Sequence, residues 1–125
     1  MTISEQHIES HEVHSKRLLQ HAIEQLEKGD RLQASEKAWG AAAHQMKVVA
    51  EKRGWPYKTH RHAYEIADRL SEEEGNPTLR RLFNTANTLH QNFYADEKPV
   101  SVLEKDIEDV EELLDILEST LGQTE

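Results

Sequence analysis

The stretch LEKDIEDVEELLDILESTL, residues 103–121, decides the fold class. Its apolar residues Leu103, Ile107, Val110, Leu114, Leu117 and Leu121 are separated alternately by four and three positions. An α-helix advances about 100° per residue, so this alternation lines one face and leaves the others polar. A half-buried strand would instead alternate at every second residue. The other faces are crowded with Glu and Asp. The helix therefore buries one seam and solvates the rest, as in an antiparallel bundle or coiled coil.

Upstream, glycines and capping residues cut the chain into four more helices. The first runs from about Ile3 to Lys28, opened by a Thr2–Glu5 capping box and stopped by Gly29. The second starts at Asp30 and runs to Arg53, before Gly54. WPYKT, residues 55–59, reads as a turn, because Pro56 removes a donor and restricts Trp55. A third helix spans His60 to Glu74 and ends at Gly75. Asn76 and Pro77 form an N-cap and first-turn pair for a fourth reaching about Glu97, with Leu79, Leu82, Ala86, Leu89 and Phe93 inward. Pro99 and a Ser101–Glu104 capping box open the fifth, which Gly122 closes. The expectation is one domain, residues 1–125, folded as an all-α, up-and-down bundle of four to five helices.

Composition narrows the function classes. The 125 residues are 36% hydrophobic and 31% charged, which suits a bundle with a solvated exterior. No apolar run approaches the ~20 residues needed to cross a bilayer. The N-terminus lacks the layout of a secretory signal, so a cytoplasmic location and no membrane partner are expected. Without cysteine there is no disulfide, thiolate metal site or cysteine nucleophile. The net charge of −9 is unevenly placed: residues 96–125 hold 11 acids and two lysines, whereas residues 1–95 balance 13 against 13. An anionic ligand is repelled by the last helix but not by the rest of the surface.

AWGAAAHQ, residues 38–45, puts Gly40 inside a helix, at a cost of roughly 1 kcal/mol relative to Ala. Ala34, Ala38, Ala41, Ala42, Gln45 and Val49 share one face, a small-residue surface that lets a neighbour approach closely. Gln45 on that apolar stripe should need a hydrogen-bond partner. Gly40 points the other way, among Glu36, Ala43, His44 and Lys47. It is either a tolerated glycine against the first or fifth helix, or a shallow spot where a ligand or second subunit comes close.

Three groups of residues have the chemistry of a site. KVVAEKRGWPYKTHRH, residues 47–62, holds Lys47, Lys52, Arg53, Lys58 and Arg61 against Glu51 alone, with Trp55, Tyr57, His60 and His62 between them. Cations bind phosphate and aromatic faces stack on bases, so the run suits a nucleotide or single-stranded RNA. The plainer alternative is a basic turn whose Trp55 caps the core. On the fourth helix Phe83, His90 and Tyr94 share a side, flanked by Arg80, Asn87 and Gln91. His90 as acid or base, with Arg80 or Arg81 stabilising an anionic transition state, would suit cleavage of RNA through its 2′-hydroxyl. The alternative is a hydrogen-bonded structural histidine. Near the N-terminus His7, His11 and His14 lie close to one face, with His21 beyond. Such a row can hold zinc or nickel, but imidazoles on a helix edge are commonly solvated, and no metal or cofactor is expected.

The run GDRLQASEKAWGAAAHQMKVVAEKRGW, residues 29–55, resembles the central signature of the archaeal PaREP1 family, usually grouped with HEPN-type helical domains. LHQNFYADE, residues 89–97, is similar to a second motif of that family, and His60 falls where it places a histidine opening its third helix. The resemblance implies a bundle of four or five helices, commonly dimeric, and, through the wider HEPN group, association with nucleotides or RNA. Many HEPN proteins are metal-independent ribonucleases with an Arg-x4-6-His motif on one helix. Here Arg81 and His90 have eight residues between them, and Arg53 and His60, with six between them, straddle the WPYKT turn.

Three functions follow as expectations. The first is a non-catalytic, homodimeric HEPN/PaREP1-like module that binds a nucleotide, RNA or a protein such as a nucleotidyltransferase. Its binding residues would be Gly40, His44, Lys47, Arg53, Trp55, Tyr57, Lys58, His60, Asn87 and Tyr94. The second is a divergent ribonuclease using His90 with Arg80 or Arg81, aided by His60. The third is a purely structural interaction protein docking a partner on the fifth helix.

Overall fold

A computed structural model describes residues 3–121, with side chains from residue 13 onward. Its elements are α1 (Ile3–Glu27), α2 (Arg31–Arg53), α3 (His60–Glu74), α4 (Pro77–Ala95) and α5 (Val100–Leu121). Short polar side chains start three of them, each supplying an acceptor for an amide that has no partner inside the helix. The Asp30 carboxylate accepts from Gln33 N–H, the Thr59 hydroxyl from His62 N–H and the Asn76 side chain from Thr78 N–H. At the other ends Gly54 and Gly75 adopt the left-handed conformation, φ 72° and 62°, that turns the chain out of α2 and α3. The expected Thr2–Glu5 box and the Gly122 stop lie outside the described residues.

Two boundaries differ from the sequence expectation. α4 stops at Ala95 rather than near Glu97, because Asn92 Oδ1 accepts the N–H groups of both Glu97 and Lys98, at 2.8 and 2.9 Å. Asp96, which precedes them, sits in the left-handed region, φ 48°. α5 is not capped by Ser101. The Pro99 carbonyl accepts the Val102 and Leu103 N–H groups, so Ser101 is already inside the first turn.

α2 is the central helix and packs against all four others. That position explains its alanines: Ala34, Ala38, Ala41 and Ala42 are fully buried, which lets several rods approach one axis. The α5 seam closes on it, with Leu103, Val110 and Leu117 fully buried. Burying each such side chain contributes about 1.5–3 kcal/mol before the cost of ordering it. α3 is peripheral and packs mainly on α4. The ion pairs Lys16–Glu118 and Arg31–Asp96 mark opposite ends of the bundle. No helix among the described residues is long and apolar enough to cross a membrane.

Of the two alternatives at Gly40, close contact with the first helix is the one observed. A Cβ placed on Gly40 would meet Leu18 Cδ1 at 3.6 Å, so α1 already lies over that side. The pattern of α2 reveals the alanine packing face, but not that α1 lies along the Gly40 side as well. Gly40→Ala should therefore raise stability by about 0.5–1 kcal/mol, since 3.6 Å is ordinary contact and the helix loses a glycine. Urea unfolding of the two proteins checks this, and a loss of stability would mean α1 sits closer than the structure places it. Gln45 Oε1 is buried with no hydrogen bond among the described residues.

Candidate functional site

After Gly54 the chain does not make a tight turn. It runs back along α2, passing Lys47, so that His60 at the start of α3 reaches Trp39, halfway along the central helix. α4, antiparallel to α2, brings His90 to the same place. The indole of Trp39 lies nearly parallel to the His60 ring, with centroids 6.0 Å apart and an interplanar angle of 9°. The His90 ring is 5.3 Å from Trp39 and 5.9 Å from His60. Beneath them the fully buried Phe83 lies 6.2 Å from Trp39 and meets the Tyr64 edge at 5.3 Å. Tyr94, 77% exposed, stands edge-on to His90 at 5.6 Å.

Glu36, one turn before Trp39, faces His90 with Oε1 3.3 Å from Nδ1. A carboxylate accepts, so it holds the proton on Nδ1 and leaves Nε2 as the nitrogen with a free lone pair. The other carboxylate oxygen, Oε2, is buried without a hydrogen bond among the described residues. Beside this ring cluster opens a cleft of about 330 Å³ lined by Trp39, Lys47, Tyr57, Lys58, Thr59, His60 and Ala63. Burial pushes the Tyr57 phenol above its ordinary range, which keeps it protonated as a donor. Two ammonium groups, a phenol, an exposed imidazole and the N-terminal end of α3 therefore meet at one indole. Such a set fits a ligand that is flat at one end and anionic at the other.

The thirteen candidates from the sequence separate. His60, His90, Lys47, Tyr57, Lys58 and Tyr94 come together. Gly40 and His44 face α1 instead: the His44 ring meets His14 edge-on at 4.7 Å. Arg53 pairs with Glu73, and Trp55 has the Arg53 and Arg69 guanidinium groups at 5.3 and 4.2 Å from its ring, so its faces are engaged by its own chain. Asn87 is buried and donates to the Tyr64 hydroxyl at 2.6 Å. Arg80 and Arg81 do not join His90. Ten residues of helix separate Arg80 from it, about 15 Å along the axis. Arg80 pairs with Asp68 at 3.1 Å, and Arg81 reaches Thr78. The supposed catalytic set fails because residues nine or ten apart lie at different heights of one helix.

Two members of the cluster, Trp39 and Glu36, escaped the sequence reading. Their spacing of three on one helix was a signal, but it needed the knowledge that α3 and α4 converge there. Among the described residues no group of three or more His, Cys, Asp or Glu side chains is placed to hold a metal ion. The side chains of His7 and His11 lie outside the described residues.

Comparison with known proteins agrees with this architecture. The family model described as the archaeal PaREP1/PaREP8 family matches residues 10–114. No curated protein sequence matches the chain. Among solved structures, a crystal structure of a protein from Sulfolobus solfataricus is similar with a TM-score of 0.76 and 23% identity, covering 86% of this chain and 95% of that one. At that identity the likeness is one of fold.

Proposed function

The chain belongs to the archaeal PaREP1/PaREP8 family, and from that premise we propose that it is a non-catalytic helical binding module for a nucleotide or single-stranded RNA. The observation that carries this reading is the Trp39 cleft, where Lys47, Lys58 and the start of α3 surround an aromatic floor. Cations and a helix N-terminus take the phosphate, and the exposed His60 ring, backed by the buried Trp39, offers a flat surface to a base. The resemblance to HEPN-type domains points toward the same ligand class and toward a homodimer, which light scattering tests directly. The acids of α5 lie away from this cleft and do not oppose an anion there.

The test is titration of a fluorescein-labelled oligoribonucleotide and of unlabelled 5′-mononucleotides into the full chain. Binding should weaken with added salt, and Lys47→Ala or Lys58→Ala should each weaken it by roughly tenfold. A chain that binds neither probe at low salt removes the proposal. A second reading rests on the 5.9 Å separation of His60 and His90 and the Glu36 contact that orients one of them. Two imidazoles, one poised as base and one as acid, can cleave RNA without a metal. Loss of intact RNA in EDTA, abolished by His90→Ala, would replace the binding reading with that one.

A further inference from the structure

A second concavity lies on the side of the bundle formed by α1 and α5. It has a volume of about 390 Å³, and its floor is apolar, built from Ile23, Leu26, Val100 and Ile107. Its rim is entirely acidic: Glu27 on α1, and Glu104, Glu108 and Glu111 on α5. None of these four carboxylates has a hydrogen bond or ion pair among the described residues. Glu104 and Glu108 stand four apart on one helix, a spacing at which like charges repel. Val100 remains 37% exposed at the mouth.

We propose that this groove docks a basic amphipathic helix of a partner protein. The apolar floor takes a leucine or isoleucine stripe, and the four glutamates meet lysines or arginines flanking that stripe. From Val100 to Glu111 the groove offers about 16 Å of helix axis, enough for three turns. Charge decides between occupants. A second copy related by a two-fold axis would set acidic rim against acidic rim. Nucleic acid and anionic lipid surfaces are repelled for the same reason. The groove shares no residue with the Trp39 cleft, so this inference stands apart from the nucleotide reading.

The probe is a fluorescein-labelled synthetic peptide of leucine and lysine, with leucines at helical spacing, followed by fluorescence anisotropy with the full chain. The control peptide has the same composition in an order that scatters the leucines. The ordered peptide should bind, and the scattered one at least about tenfold more weakly. The double variant Glu104→Lys/Glu108→Lys should weaken the ordered peptide by about tenfold or more, and Val100→Ser by several-fold. Glu72→Lys, an exposed acid on α3, should leave it unchanged. Equal binding of both peptides, or indifference to the groove variants, overturns the proposal. So does a dimer on light scattering that Val100→Ser dissociates, because the groove would then belong to a second copy.

Discussion

Asn92→Ala is expected to lower the unfolding free energy by about 3 kcal/mol, a shift of roughly 10 °C in melting temperature for a chain of this size. Asn92 is 1% exposed and uses both ends of its amide. Oδ1 accepts the Glu97 and Lys98 amides, while Nδ2 donates to Ser35 Oγ at 2.8 Å, and Ser35 in turn donates to the Arg31 carbonyl. Alanine leaves two amides without their acceptor and one hydroxyl without its donor. It also releases the corner that carries Asp96 to Arg31 and Lys98 to Thr88 and Asp106. Asn92→Asp keeps an acceptor for both amides and should lose less than alanine does. Thermal unfolding of the two variants, with amide exchange at Glu97 and Lys98, measures this. An alanine variant as stable as the parent would mean the corner is held by its ion pairs instead.

The second large effect is at Trp39. It is 9% exposed, touches Phe83 below and stacks with His60 and His90 above, so it belongs to the core and to the cleft at once. Trp39→Ala should cost about 3–5 kcal/mol, the usual range for emptying a buried aromatic site. Trp39→Phe keeps most of the buried area and should retain the fold with a smaller loss. The two roles separate there. A phenylalanine gives up part of the stacking surface and lets the His60 ring settle elsewhere, so oligoribonucleotide affinity should fall by roughly tenfold while the protein stays folded. Denaturant unfolding and anisotropy on the same variant report each role, and unchanged affinity would place the ligand away from the indole.

Much of the fold was legible because helix starts and stops are local chemistry. Asp30, Thr59 and Asn76 cap the helices they precede, and Gly54 and Gly75 end the ones they follow. The end of α4 was not legible, because it is set by a side chain reaching five and six residues forward to loop amides. The motif LHQNFYADE thus mixes two roles: His90 joins the ring cluster beside the cleft with Tyr94 edge-on to it, while Asn92 and Asp96 terminate a helix. The site was half legible. Lys47, Lys58 and His60 stand out as basic and aromatic residues around a proline. Trp39 looked like one more large residue in an alanine-rich helix. What the pattern could not supply was the direction of residues 54–59, which run back along α2 and carry His60 to it. Arg53 and Trp55 were grouped with them by nearness in sequence, yet Arg53 pairs with Glu73 and Trp55 packs against the core beneath Arg69.

The place of α2 at the centre has a dynamic corollary. A rod packed against all four neighbours acts as the stator of the molecule, whereas α3 leans mainly on α4 and meets the stator through the stacked rings at its start and the Arg53–Glu73 ion pair near its end. In the proposed nucleotide reading the ligand would span two bodies, with Lys47 on that frame and Lys58 on the segment leading into α3.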